Sequence, residues 1–142
     1  REFGGTEFVG WRVDQVTGLR RGGRRRQQRG QVDTDGACSA AGAVAPGTHI
    51  GSYLVHYEDG QERLVPVVYG YDVRDWASKT PPEDLARGVR PAWTGTNNQG
   101  GPVELFHLSW WNPRFDVEIT SIDFVSTQSV SAPFLLAITI EE

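Results

Sequence analysis

Four tryptophans stand beside turn formers and planar polar side chains. Arg74 and Asp75 lead into Trp76, Asn97 closes the short run that holds Trp93, and Asn112 follows Trp110 and Trp111. A flat indole covers the apolar C–H face of a sugar ring, and amides, carboxylates and guanidinium groups bond its hydroxyls. Trp76, Trp93, Trp110 and Trp111, with Asn97, Asn112, Asp75 and Arg74, therefore form the candidate ligand-binding set. Core packing competes for the same rings, because Trp is highly buried on average. For Trp93 and Trp110 the core is the favoured expectation. Consecutive side chains of a strand face opposite sides, so one of Trp110 and Trp111 leaves the core, and Trp111 is the expected exposed platform.

Other chemistries find less support. His49, His56 and His107 are the only histidines and show no metal-ligand spacing such as a His-x-His pair. His56 and His107 read as ordinary sheet residues on a half-exposed face. Asp72, Asp75, Glu104, Asp116, Glu118 and Asp123 are acidic candidates, but glycoside hydrolysis needs two carboxylates facing across a cleft, and spacing does not supply that pair. Asp123 alternates against Ile122 and Phe124, which favours a structural role. There is no Gly-x-Ser-x-Gly elbow and no phosphate loop. The single cysteine, Cys38, has no His nearby and reads as a passive small side chain. It excludes an internal disulfide and a Cys-built zinc site. No catalytic residue is assigned.

The elements that must position these side chains are strands. The chain has 142 residues, the size of one domain spanning 1–142. No apolar run approaches the roughly 20 residues of a membrane helix. It contains no Met, so it is read as a piece of a longer protein. Residues 1–46 hold eight Arg against five acids, whereas residues 47–142 hold six Lys or Arg against thirteen acids. The basic run from Arg20 to Arg29 lacks interleaved aromatics for base stacking, and the remainder is acidic, so nucleic acid is an unfavoured partner. Thirteen arginines against the one lysine, Lys79, look like coding bias more than a binding surface.

Period-two alternation begins at Gly51, with Tyr53, Val55 and Tyr57 on one face. Asp59-Gly60 supplies a hairpin turn, and the return strand runs from Arg63 to Tyr69, with Pro66 marking an edge or a bulge. A long connection follows, in which residues 80–88 could form one helical turn. Further strands are expected over Ala92–Thr96, Val103–Trp111 and Val117–Ser126, the last with a bulge near Ser121 where the apolar phase shifts. Phe134–Ile140 is almost continuously apolar, as in a central or doubly buried strand. Phe3, Phe8, Trp11 and Val13 suggest one or two strands. Residues 18–47 read as an irregular or insertion-like Arg/Gly-rich stretch. The sum is an all-β, antiparallel jelly-roll β-sandwich with little helix.

Six segments occur in a telling order: Tyr53-Leu54-Val55-His56-Tyr57-Glu58-Asp59-Gly60, Tyr71-Asp72-Val73-Arg74-Asp75-Trp76, Ala92-Trp93-Thr94-Gly95-Thr96-Asn97, Trp110-Trp111-Asn112-Pro113, Ile122-Asp123-Phe124-Val125-Ser126 and Pro133-Phe134-Leu135-Leu136-Ala137-Ile138-Thr139. Together they resemble a bacterial galactose-binding-like β-sandwich of the carbohydrate-binding-module type over about residues 50–141. Trp111 departs from that pattern, which has a polar residue there. The resemblance implies a noncatalytic module that binds polysaccharide or oligosaccharide, sits beside a neighbouring domain of the same protein, and is extracellular or periplasmic. In many members it also implies a structural calcium ion held by loop oxygens. Two alternatives stand beside it. One is a structural or protein-interaction β-sandwich, and the other is a small metal-dependent or hydrolytic enzyme acting on polysaccharide.

Overall fold

The computed structural model describes residues 10–14, 29–39, 44–77, 89–129 and 131–140; for residues 10–14 and Val89 the description is of the backbone. Eight strands are present: β1 (Gly10–Asp14), β2 (Val32–Ser39), β3 (His49–Tyr57), β4 (Glu62–Val68), β5 (Val89–Thr96), β6 (Pro102–Trp110), β7 (Ile119–Ser126) and β8 (Ala132–Ile140). They form two four-stranded sheets, β1-β7-β3-β4 and β5-β6-β2-β8. Every ladder is antiparallel. The fold is an all-β sandwich, and no helix occurs among the described residues. The one-turn helix expected over residues 80–88 lies outside them, as do Phe3, Phe8 and the run from Arg20 to Gln28.

The alternation that specified β3 also builds the core. Tyr53, Val55 and Tyr57 point inward with Val65 and Val67 of β4 and Ile119, Ile122 and Phe124 of β7. From the other sheet they meet Val32, Phe106 and Ile140. Tyr53 stacks on Phe124 with ring centroids 5.1 Å apart. The Asp59-Gly60 turn closes the β3–β4 hairpin with Gly60 at φ +85°, and Asp59 Oδ1 accepts the Gln61 N–H at 3.0 Å. Pro66 is tolerated because β4 is an edge strand among the described residues. The β3–β7 register slips between His56↔Ser121 and Tyr57↔Ile119, leaving Thr120 as the extra residue. That bulge returns Ile119 and Ile122 to the same face.

Two expectations are corrected. Residues 18–47 are not irregular throughout, because β2 lies within them and pairs with both β6 and β8. Val32 and Thr34 face inward and Asp33 and Asp35 outward. The acidic face hides an alternation that only four residues carry. Gly36 completes the strand, since a Cβ there would overlap the Phe134 carbonyl oxygen. The apolar run at the C-terminal end is not central either. β8 pairs only with β2 among the described residues, and Leu136, the bulged residue of that ladder, is exposed.

Candidate functional site

The eight residues of the candidate site divide between the two ends of β6. At its beginning, the segment Arg74–Trp76 inserts between β2 and β6. The Trp76 N–H donates to the Cys38 carbonyl at 2.8 Å, and the Trp76 carbonyl accepts the Glu104 N–H at 2.8 Å. Arg74 is buried, and its carbonyl accepts the Cys38 N–H at 3.1 Å. Asp75 Oδ1 caps the following turn by accepting the Ala77 N–H at 2.9 Å. Trp76 is partly exposed. Trp93, on β5, pairs with Leu105 and is 53% exposed, which overturns the core expectation for this ring. Asn97 shapes the β5–β6 turn, its Oδ1 accepting the N–H groups of Gln99 at 3.0 Å and Gly101 at 2.8 Å.

At the far end of β6 the alternation resolves the tryptophan pair. Trp110 packs against the core, whereas Trp111 is 77% exposed. The loop that carries Trp111 is pinned from beneath by Asn112, which is buried. Its Oδ1 accepts the Tyr57 hydroxyl at 2.7 Å and the Arg114 N–H at 2.9 Å, and its Nδ2 donates to the carbonyls of Arg29 at 2.6 Å and Arg114 at 3.3 Å. Burial pushes the Tyr57 phenol up against the opposing pull of Arg114, so it stays a proton donor. Arg114 lies over the Tyr57 ring, 4.6 Å from its centroid, and grips both carboxylate oxygens of Asp59. That bond, with the Gln61 N–H, holds the Asp59 carboxyl below its usual range. Phe115, in the same loop, is 74% exposed. Two bare aromatics are thus presented by a loop whose Asn112 and Arg114 side chains are both engaged.

Sequence reasoning missed Phe115 and Arg114, and also a polar cluster on the outer face of sheet β5-β6-β2-β8. There His107 Nδ1 lies 2.6 Å from Asp35 Oδ1, and its Nε2 lies 3.4 Å from Asp33 Oδ1. The Ser109 hydroxyl and the Gln31 amide both donate to Asp33 Oδ1 at 2.7 Å. The signal was the paired spacing Asp33-x-Asp35 and His107-x-Ser109-x-Trp111. The opposite outer face carries a second pair, where His56 Nε2 lies 2.8 Å from Asp123 Oδ2 and its Nδ1 lies 3.2 Å from Glu62. Asp123 is fully buried. Both histidines are held by carboxylates, as sheet residues rather than free ligands.

Among the described residues no group of three or more His, Cys, Asp and Glu is arranged to hold a metal ion. His49 Nε2 lies 2.7 Å from Ser52 Oγ, but the serine is buried and closed to a substrate carbonyl. A cavity of about 10 Å³ between the sheets, walled by Val32, Tyr53, Val65, Leu108 and Trp110 among others, is far smaller than a ligand pocket. Cys38 is fully buried, and burial pushes its thiol up, with Asp75 adding to the effect and the Ser131 hydroxyl opposing it. The native protein is expected to resist a thiol-alkylating reagent at mildly alkaline pH and to react fully once unfolded. Rapid labelling of the folded state would contradict this placement.

No family model, no curated protein and no solved structure matches the chain.

Proposed function

We propose that the protein is a noncatalytic carbohydrate-binding module that holds polysaccharide on exposed aromatic platforms. The observation that carries this reading is Trp111, 77% exposed on a loop whose anchor, Asn112, is buried and fully bonded. Exposing an indole and a neighbouring phenyl ring costs solvation free energy. A rigid mount lowers the entropy that binding must overcome. The galactose-binding-like resemblance, its jelly-roll form and an extracellular or periplasmic setting belong to the same reading.

The test is retention of the purified protein on insoluble neutral polysaccharides in affinity electrophoresis and pull-down. Trp111→Ala is expected to reduce retention about tenfold or more, the weight of a central aromatic anchor. Its thermal midpoint should stay within about 2 °C of the parent, because the ring touches little of the core. Equal retention of variant and parent would reject the platform.

A second reading, a structural or protein-interaction module, is favoured by β8. Residues 132–140 carry no charge and lie on an open sheet edge among the described residues, where natural sheets often place charges, so that only the bulge at Leu136 interrupts an apolar edge. It expects no glycan retention and a sedimentation behaviour that depends on protein concentration.

A further inference from the structure

We infer that the outer face of the sheet β5-β6-β2-β8 is an extended binding lane for a neutral polysaccharide chain, running along β6 from Trp93 to Trp111. The inference rests on the carbohydrate-binding reading and extends it from one platform to a defined ligand class.

The register builds the lane. Phe106 is buried in the core, and Leu108 and Trp110 pack against it. By the alternation of β6 the intervening His107, Ser109 and Trp111 turn outward with Leu105, which stays partly buried and keeps contact with the core cluster at its end of the strand. Trp93 is the ladder partner of Leu105 and shares its side. Its ring lies across Gly95, where a Cβ would overlap the indole. From Leu105 to Trp111 the strand rises about 20 Å, room for a chain of several sugars rather than a single ring. An exposed indole stands at each end, and Asp33, Asp35, His107 and Ser109 lie between.

That middle section is prepared for hydroxyl groups. Asp35 Oδ1 is hydrogen-bonded to His107, and Asp33 Oδ1 accepts from Ser109 and Gln31 with His107 Nε2 3.4 Å away. Oδ2 of each accepts no bond among the described residues and is left to accept from a ligand. These internal bonds fix the carboxylates before binding, which lowers the ordering cost. Two carboxylates lie at the centre, and the exposed Arg90, opposite His107 in the ladder, lies on the edge strand. The face thus holds no cluster of positive charge to bind a polyanionic chain, which favours a neutral one.

The experiment measures affinity for disaccharides to hexasaccharides of the cello, xylo, manno and malto series by calorimetry, with polygalacturonate as the anionic control. The parent protein, Trp93→Ala, Trp111→Ala and Asp35→Asn are compared. In at least one neutral series, affinity is expected to rise at least tenfold from disaccharide to hexasaccharide. Each Trp variant should lose about tenfold on the hexasaccharide and little on the disaccharide. Asp35→Asn should lose severalfold, and polygalacturonate should not bind. Gly95→Ala, which displaces the Trp93 ring while leaving the indole present, should reproduce the loss of Trp93→Ala.

If Trp111→Ala abolishes binding while Trp93→Ala and Gly95→Ala leave the hexasaccharide affinity unchanged, the platform stands and the lane is overturned. Affinity that is flat with chain length overturns the lane in the same way, as does preference for polygalacturonate. Absence of binding to every probe overturns both the lane and the carbohydrate reading beneath it.

Discussion

Asp123→Ala is expected to lower the stability of the folded protein by about 3 kcal/mol, the cost of losing a buried hydrogen bond to a charged group and leaving its partner unsatisfied. The carboxylate is fully buried and meets His56 Nε2 at 2.8 Å. Its strand, β7, lies between β1 and β3, so the loss acts where two ladders join. The cost goes no higher because the His56 side chain keeps some solvent access and its contact with Glu62. A change of this size moves the thermal midpoint by about 10 °C in a domain of this length. Urea unfolding checks it, and a loss below about 1 kcal/mol would show the pair to be dispensable. The double variant His56→Leu, Asp123→Leu should recover part of the loss, because replacing both hydrogen-bonding partners by apolar groups leaves neither one buried and unsatisfied.

Asn112→Ala is expected to cost about 2–3 kcal/mol and to reduce polysaccharide retention together with it. Four hydrogen bonds end on this one amide, each contributing about 1 kcal/mol net, and part of that returns when the loop groups find water. The effect on binding comes from position. Without the amide, the loop from Trp111 to Phe115 loses its attachment to β3 through Tyr57 and to the chain before β2 through Arg29. Tyr57→Phe separates the two effects. It removes one donor, should cost about 1 kcal/mol, and should leave retention close to that of the parent because the Arg29 and Arg114 bonds persist. Full retention by Asn112→Ala would mean that the platform needs no rigid mount.

Local alternation and turn chemistry made much of the fold legible. The β3–β4 hairpin followed from Tyr53, Val55 and Tyr57 with Asp59-Gly60, and the bulge in β7 from the phase change between Ile119 and Ile122. β2 escaped because Gly36, Ala37 and Cys38 interrupt its polar alternation after four residues. β8 was misread because an apolar run states that a strand is not solvated on both faces, but not whether a neighbour lies beyond its edge. The candidate site was legible one residue at a time. The exposure of Trp111 followed from its adjacency to Trp110. The exposure of Trp93 did not, because the register shift between Pro91 and Trp93 sets which side its ring takes.

The amino-acid sequence by itself determined the all-β class, the hairpin and the aromatic types available for stacking, since these depend on neighbours a few residues apart. The tertiary structure alone decided that the eight candidate residues lie at two ends of β6, and that Asn112 is spent on holding a loop. It alone brought Asp33 and Asp35 against His107, across more than seventy residues of chain. Pairing between distant strands is fixed by burial and register over the whole sandwich. No local window of sequence contains that information.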